Sequence, residues 1–172
     1  MTKIDVNSNL HKLVYCSRNR IRGNDAEVAA ELETLLASAR VNNLHFGITG
    51  ALLYNAGNFA QVLEGPMHSV DRIFEAIQRD RRHGETIVIH NGPAAERDFP
   101  EWSMAFSGSH APAGMPLATT AFDAAFANSV GAGEQILSLL KELIVREDDN
   151  WTNPEVPSYV DLGHRDSSAV TR

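Results

Sequence analysis

The sequence predicts an α+β domain in which two helices cover one face of a mixed sheet. Three observations carry this reading. Two segments place apolar residues at helical spacing, five short segments are β-branched or alternating, and turn residues separate them in the order β-α-β-β-α-β-β. With 172 residues, the chain is long enough for one domain with a real core and short for two.

Residues 1–9 are polar and expected to fray. Leu10 to Cys16 reads as the first strand, and Ser17 to Asn24, with Arg18, Arg20, Arg22 and Gly23, as a loop. Asn24 or Asp25 can cap a helix whose first turn holds Glu27. Val28, Leu32, Leu35, Leu36 and Ala39 then form one helical face, and the helix should end near Asn42 and Asn43. Ile48 to Tyr54 is a strand with a weak point at Gly50. Asn55-Ala56-Gly57-Asn58 is a turn, and Phe59 to Glu64 returns as the hairpin partner, stopped by Gly65 and Pro66.

Val70, Ile73, Phe74 and Ile77 mark a second helix from about Ser69 to Asp80. Thr86 to His90 is a strand stopped by Asn91-Gly92-Pro93, and Trp102 to Ser107 is the last one. This order is the ferredoxin-like plan plus one extra strand. Residues 111–116 read as a linker, 118–128 as a weak helix carrying Phe122 and Phe126, and 134–146 as an amphipathic helix. That last helix needs a cover for its apolar face: either the open face of the sheet, which a one-layer sheet would otherwise expose, or a dimer interface, with the sheet face favoured. From Asp148 the chain is polar, and disorder or a loose wrap is expected.

Composition narrows the function. A formal charge of −7 argues against broad binding to nucleic acid or to anionic membrane. No apolar run is long enough to span a bilayer, and the first residues lack the apolar stretch of a signal peptide. One cysteine, Cys16, leaves no internal disulfide and no Cys-rich metal site. The expected location is cytoplasmic. The seven His residues form no H-x-x-x-H pair, so no metal site is expected, and no glycine-rich nucleotide loop of the common types occurs.

Several polar residues stand where a half-buried sheet prefers apolar ones. Gln61 alternates with Phe59 and Leu63, so the three share a face. If that face is the core, Gln61 is a buried amide in need of partners, and the Tyr15 hydroxyl could be one. The plainer alternative is a solvent-facing Gln61 that props the hairpin. Arg79-Asp80-Arg81-Arg82-His83 ends the second helix, either as a solvated cap or as a phosphate clamp. Asn42-Asn43 suits a helix C-terminus. Trp102 and Met104 alternate on the last strand, where packing alone would account for them.

Read together, these residues resemble the BLUF family of blue-light sensors that use flavin. The resemblance runs over about residues 10–108: Leu-Val-Tyr-Cys-Ser (13–17), Asn43, Ile-Thr-Gly-Ala-Leu-Leu-Tyr (48–54), Phe-Ala-Gln-Val-Leu-Glu-Gly (59–65), Ile-Gln-Arg-Asp-Arg-Arg-His (77–83) and Trp-Ser-Met (102–104). Each piece is weak, and the ordered set is specific.

The resemblance implies FAD, with FMN as the alternative flavin, held between the two helices with its ring against the sheet. Tyr15 then matches the photoactive tyrosine, donor of an electron and a proton, and Gln61 the switching glutamine. Asn43 matches the residue that binds the pyrimidine edge of the flavin. Asn42 falls where some members carry His, which implies a polar contact with no titrating group. Asp80 would meet the ribityl chain, and Arg82 and His83 the phosphates. Trp102 and Met104 match a mobile pair that exchanges places beside Gln61.

A rearranged hydrogen bond is worth only about 0.5–1.5 kcal/mol net. A shift from 1:99 to 99:1 needs about 5.5 kcal/mol, so the output has to recruit packing changes near Trp102 and Met104. No cyclase, phosphodiesterase or DNA-binding domain fits in residues 109–172, so signalling is expected through contacts with a separate effector protein, from a homodimer or higher homo-oligomer. The chain is then a sensor and not an enzyme. The competing readings are a flavin-dependent oxidoreductase, for which no nicotinamide motif occurs, and a ferredoxin-like small-ligand-binding module, which would be colourless.

Overall fold

The computed structural model describes residues 9–109, 116–150 and 163–164. Residues 1–8 of the expected frayed start, residues 111–115 of the expected linker and most of the polar tail lie outside the described residues, while Pro116, expected in the linker, opens a helix. The elements are β1 (Leu10–Asn19), α1 (Asp25–Phe46), β2 (Thr49–Asn55), β3 (Asn58–Pro66), α2 (Met67–Arg79), β4 (His83–Pro93), β5 (Trp102–Ser109), α3 (Pro116–Phe126), α4 (Ala132–Asn150) and a two-residue β6 (Gly163–His164). The sheet order is β4-β1-β3-β2-β5-β6. Only β2 and β5 pair in parallel; the other neighbours are antiparallel.

Strand alternation divides the core into two clusters, one on each face of the sheet. On one face Leu13, Tyr15, Leu52, Phe59, Leu63, Met104 and Phe106 meet Val28, Leu32, Leu36 of α1 and Val70, Phe74 of α2. On the other, Val14, Cys16, Ala51, Leu53, Ala60, Val62 and Ala105 meet Phe122 of α3 and Ile136, Leu140, Ile144 of α4. The C-terminal helices thus cap the open sheet face. Buried Cys16 belongs to this packing, and desolvation pushes its thiol up to about 12.

Several element boundaries differ from the sequence expectation. Gly65 and Pro66 do not stop β3 but pair with His11 and Leu10. α2 ends at Arg79, and β4 begins at His83, three residues before Thr86. β1 continues through Ser17 and Arg18, which pair with Phe59 and Asn58 instead of opening a loop. α1 begins with a capping box: the Asn24 side chain accepts from Glu27 N at 3.0 Å, and Glu27 accepts from Asn24 N at 2.8 Å. It does not stop at Asn42 and Asn43. Asn43 is buried within it, and the helix ends at Gly47, whose left-handed φ of 68° serves as the C-cap. Asn91-Gly92-Pro93 does not stop β4 but pairs with Leu13, Lys12 and His11. β4 is an edge strand, where a proline's missing N–H removes no ladder bond. α4 starts before Glu134 and runs past residue 146.

Gly50, the weak point in β2, has a specific reason. A Cβ there would lie 1.9 Å from the Val62 carbonyl oxygen, so only glycine lets β2 and β3 approach this closely.

Candidate functional site

α1 and α2 leave a cleft of about 540 Å³, counting its open mouth, that reaches the sheet at Gln61. Leu35, Ser38, Ala39, Asn42 and Asn43 of α1 form one wall, and Ile73, Ala76 and Ile77 of α2 form the other. Asp80, Arg82 and His83 stand where α2 ends. The mix of apolar walls with a few convergent polar groups is that of a small-molecule site.

At the floor, Tyr15 and Gln61 are direct cross-strand partners in the β1–β3 ladder. The Tyr15 hydroxyl donates to Gln61 Oε1, and Gln61 Nε2 lies 3.4 Å from Met104 Sδ. Tyr15 does not line the cleft; it stands behind Gln61, fully buried, with its ring 5.4 Å from Phe74 and 6.2 Å from His83. Burial first, then the neighbouring Cys16 and Asp80, raises its phenol well above the ordinary range, so it is a neutral donor.

The Asn43 amide nitrogen donates to the Ser103 carbonyl at 2.8 Å, and the residue lines the cleft. Asn42 lines the same wall but is exposed. Burial would raise Asp80, but hydrogen bonds and charge from Arg82 outweigh it and hold the carboxyl below its usual value. Arg82 donates to both Asp80 oxygens and reaches Glu31 at 3.2 Å, so its guanidinium is already occupied by two carboxylates. Burial lowers His83 to about 4, against the pull of Asp80, and its Nδ1 sits 2.9 Å from Ser17 Oγ. His83 therefore faces the cleft as a neutral ring, not as a cation.

Trp102 and Met104 do not share a side of the sheet. Met104 is buried in the cleft-side cluster, while Trp102 is half-buried against the cap-side cluster. The backbone explains this. β5 joins β2 only from Ala105 onward, and its register against Gly163–His164 shifts between Trp102 and Met104. The start of β5 is instead held by side chains: Asn43 on Ser103 O, and Arg40 Nε on Met104 O at 3.1 Å.

Three contributors escaped the sequence reading. Ser17 lies two residues from Tyr15 on the same strand face, a polar inward position that strand alternation could have exposed. Arg40 lies one helical turn before Asn43. Glu64 follows Ala60 and Val62 on the cap face, and accepts from Asp98 N at 2.7 Å and Phe99 N at 3.2 Å. Beside it, Arg97 donates to Thr49, to Glu64 O and to Gly47 O, and Asp98 pairs with Lys12 and with Lys141 of α4. This loop therefore ties the sheet, the end of α1 and the cap together just before β5.

A buried amide and a phenol at the base of a cleft, with a second amide on its wall, are the features that comparison with known proteins resolves. The BLUF profile, described as sensors of blue-light using FAD, matches residues 10–105. The chain belongs to the BLUF family. A dark-state structure of BlrB, a BLUF protein, is 31% identical and covers 82% of this chain and 98% of its own, with a TM-score of 0.62. A photoactivated adenylate cyclase subunit beta from Euglena gracilis is 34% identical over 98 residues, 56% of this chain and 11% of that protein. A blue light- and temperature-regulated antirepressor from Escherichia coli (strain K12) is 35% identical over 95 residues, 55% of this chain and 23% of that protein. The chain thus spans less than a quarter of the length of these two relatives. As a BLUF domain it is a flavin-binding sensor and not an enzyme. Among the described residues no helix is long and apolar enough to cross a membrane, and no group of His, Cys, Asp and Glu could hold a metal ion.

The cleft suits the family's cofactor on its own chemistry. Its walls offer Leu35, Ala39, Ile73 and Ile77 to a flat ring, and Asn43 and Gln61 offer both donors and acceptors to a heterocycle edge.

Proposed function

We propose that this BLUF domain senses blue light through a Tyr15–Gln61–Met104 relay and passes the change through β5 to the capping helices. The observation that carries the reading is the buried chain of contacts from the Tyr15 hydroxyl to Gln61 Oε1 and from Gln61 Nε2 to Met104 Sδ, at the floor of a cleft that suits a flavin.

Asn43 and Asn42 would meet the polar edge of the flavin, and Asp80 its ribityl chain. When bound, the flavin supplies blue-light absorption and an excited ring that accepts an electron. Tyr15, neutral, buried and aromatic, would give that electron. An oxidised phenol would be strongly acidic, so its proton would follow along the hydrogen bond to Gln61, and both electron and proton would return to Tyr15 once the amide has rearranged, leaving the flavin oxidised. The Gln61 amide has a donor end and an acceptor end. Rotation or tautomerisation exchanges what it presents to Tyr15, to Met104 and to the cleft.

Gln61 alone moves too little free energy to drive an output. Met104 supports a larger response, because it touches Gln61 and sits on the part of β5 that no β2 ladder restrains. Trp102, two residues away and across the sheet, is the counterpart that would exchange with it. Residues 10–108 then act as the sensing unit, and α3 and α4 as the surface that meets an effector protein. Two relatives, named as a cyclase subunit and an antirepressor, support such a coupling to separate outputs.

The test is an absorption spectrum of flavin-loaded protein before, during and after blue illumination. The expected result is a small red shift that reverses in darkness. A spectrum unmoved by light, or bleaching to reduced flavin, would contradict the reading. Consumption of reduced nicotinamide in darkness would favour an oxidoreductase instead.

A further inference from the structure

The outer edge of β5 is covered by the chain's own C-terminal segment. β5 lies beyond β2 in the sheet and would be the edge strand there, but β6 (Gly163–His164) adds to it in antiparallel pairing. An uncovered strand edge carries unpaired N–H and C=O groups and accepts an extended segment that can reach it. The polar stretch after Asp148, expected to be disordered or to wrap loosely, returns to the sheet at this one place. It is the part of β5 that carries Trp102 and Met104, which pair with His164 and Gly163.

Two features make this contact easy to break. β6 has only two residues, so few hydrogen bonds hold it, and its register shifts between Trp102 and Met104. The segment of β5 beneath it is held on its other side by side chains, Asn43 on Ser103 O and Arg40 on Met104 O, because the β2 ladder begins only at Ala105. Met104 lies on the cleft side of the sheet and Trp102 on the cap side. An exchange of the two has to rotate the backbone of residues 102–104, and with it the groups that pair with β6. The contact is also easy to remake. β6 is tethered to α4 through residues 151–162, so rebinding is intramolecular, at an effective concentration on the order of millimolar.

We propose that β6 is a light-released strap: Gly163–His164 sits on the β5 edge in the dark and leaves it when Trp102 and Met104 move, which frees the strand edge. The proposal rests on the relay reading above and adds an output element, a C-terminal segment whose release is read separately from any change in α3 and α4. A second copy of the chain or a strand of an effector is a poorer occupant of the same edge in the dark, because the tethered segment competes at the higher effective concentration.

The test follows amide hydrogen exchange by mass spectrometry in the full, flavin-loaded chain, in darkness and under blue light, with the red shift recorded on the same samples. It compares wild type, the double variant Gly163→Pro/His164→Pro, which removes the N–H donors of β6, and Ser167→Pro/Ser168→Pro, which alters the tail outside β6. Amides of residues 102–104 and 163–164 should exchange at least about threefold faster in lit than in dark wild type. In darkness the Gly163→Pro/His164→Pro protein should show residues 102–104 at the lit wild-type rate with its red shift intact, and Ser167→Pro/Ser168→Pro should match wild type. A normal red shift with unchanged exchange at 163–164 would overturn the strap and leave the relay standing. So would dark exchange at 102–104 that is the same in Gly163→Pro/His164→Pro as in wild type, or that rises equally in Ser167→Pro/Ser168→Pro. A wild type without a red shift would overturn both.

Discussion

Tyr15 and Gln61 face each other across the β1–β3 ladder, and the phenol donates its hydrogen bond to the amide oxygen. The pairing is set by register. A slip of one residue between the two strands would put these side chains on opposite faces of the sheet, so the β1–β3 register holds the relay together. The amide's nitrogen end is then left to Met104 Sδ at 3.4 Å, with the cleft beside it.

Tyr15→Phe removes the hydroxyl and keeps the ring that packs on Phe74 and His83. Because Tyr15 does not line the cleft, flavin affinity should change little. The light-induced red shift should be lost. An absorption difference spectrum checks this, and a shift of normal size in Tyr15→Phe would remove the phenol from the mechanism.

Arg40→Ala should separate sensing from output. It deletes the donor to the Met104 carbonyl without touching a cleft-lining residue. The red shift should persist. The Met104 methyl resonance, assigned by comparison with Met104→Leu, should move in the dark state and lose its response to light, and Arg40→Lys should restore it in part. A Met104 signal identical to wild type would mean that Arg40 does not position β5.

The fold was legible in the sequence because its periodicities are clean. Val28, Leu32, Leu35 and Leu36 lie on one helical face, and Phe59, Gln61 and Leu63 on one strand face, and both patterns hold in the structure. Boundaries were harder to read where a tertiary contact overrides a local signal. Asn43 looks like a helix stop until its amide finds Ser103, and Pro93 like a strand stop until β4 proves to be an edge. Tyr15 and Gln61 stood out as polar residues in apolar strands. Arg40 and Glu64 did not, because an arginine on a helix and a glutamate at a strand end look like ordinary surface until the Met104 carbonyl and the Asp98–Phe99 amides are placed against them.

Two buried groups pull the pH profile in opposite directions. Burial raises Glu64 from 4.5 to about 7, partly offset by Lys12 and the Asp98 N–H and increased by the Asp98 charge. Between these values the folded chain keeps a proton that the unfolded chain has released, so this group's contribution to stability falls as pH rises. His83 is lowered from 6.5 to about 4 among Ser17, Asp80 and Arg82, and its contribution is lost as pH falls through that window. Glu64→Gln should leave only the His83 trend: urea midpoints should climb more steeply from pH 4 to 6.5 than in wild type. It should also destabilise by about 1–3 kcal/mol, since one of the two backbone N–H groups then meets an amide N–H. A midpoint profile parallel to wild type would contradict this.

Leu140→Ala tests the cap. Leu140 is fully buried between α4 and the sheet, and its truncation should destabilise the fold by about 2–5 kcal/mol. The cleft lies on the other face, so the red shift of the folded fraction should be retained. Thermal unfolding and the difference spectrum together decide this. Unchanged stability would mean that α4 does not cover the sheet.

Gln61→Leu is the most direct test of the relay. Leucine keeps the volume of the side chain and removes both ends of the amide, so Tyr15 loses its acceptor and Met104 its donor. The measurement is the light-minus-dark absorption spectrum of the flavin-loaded variant. The account expects bound flavin with no red shift. A reversible red shift of wild-type size would show that the amide is not the switch.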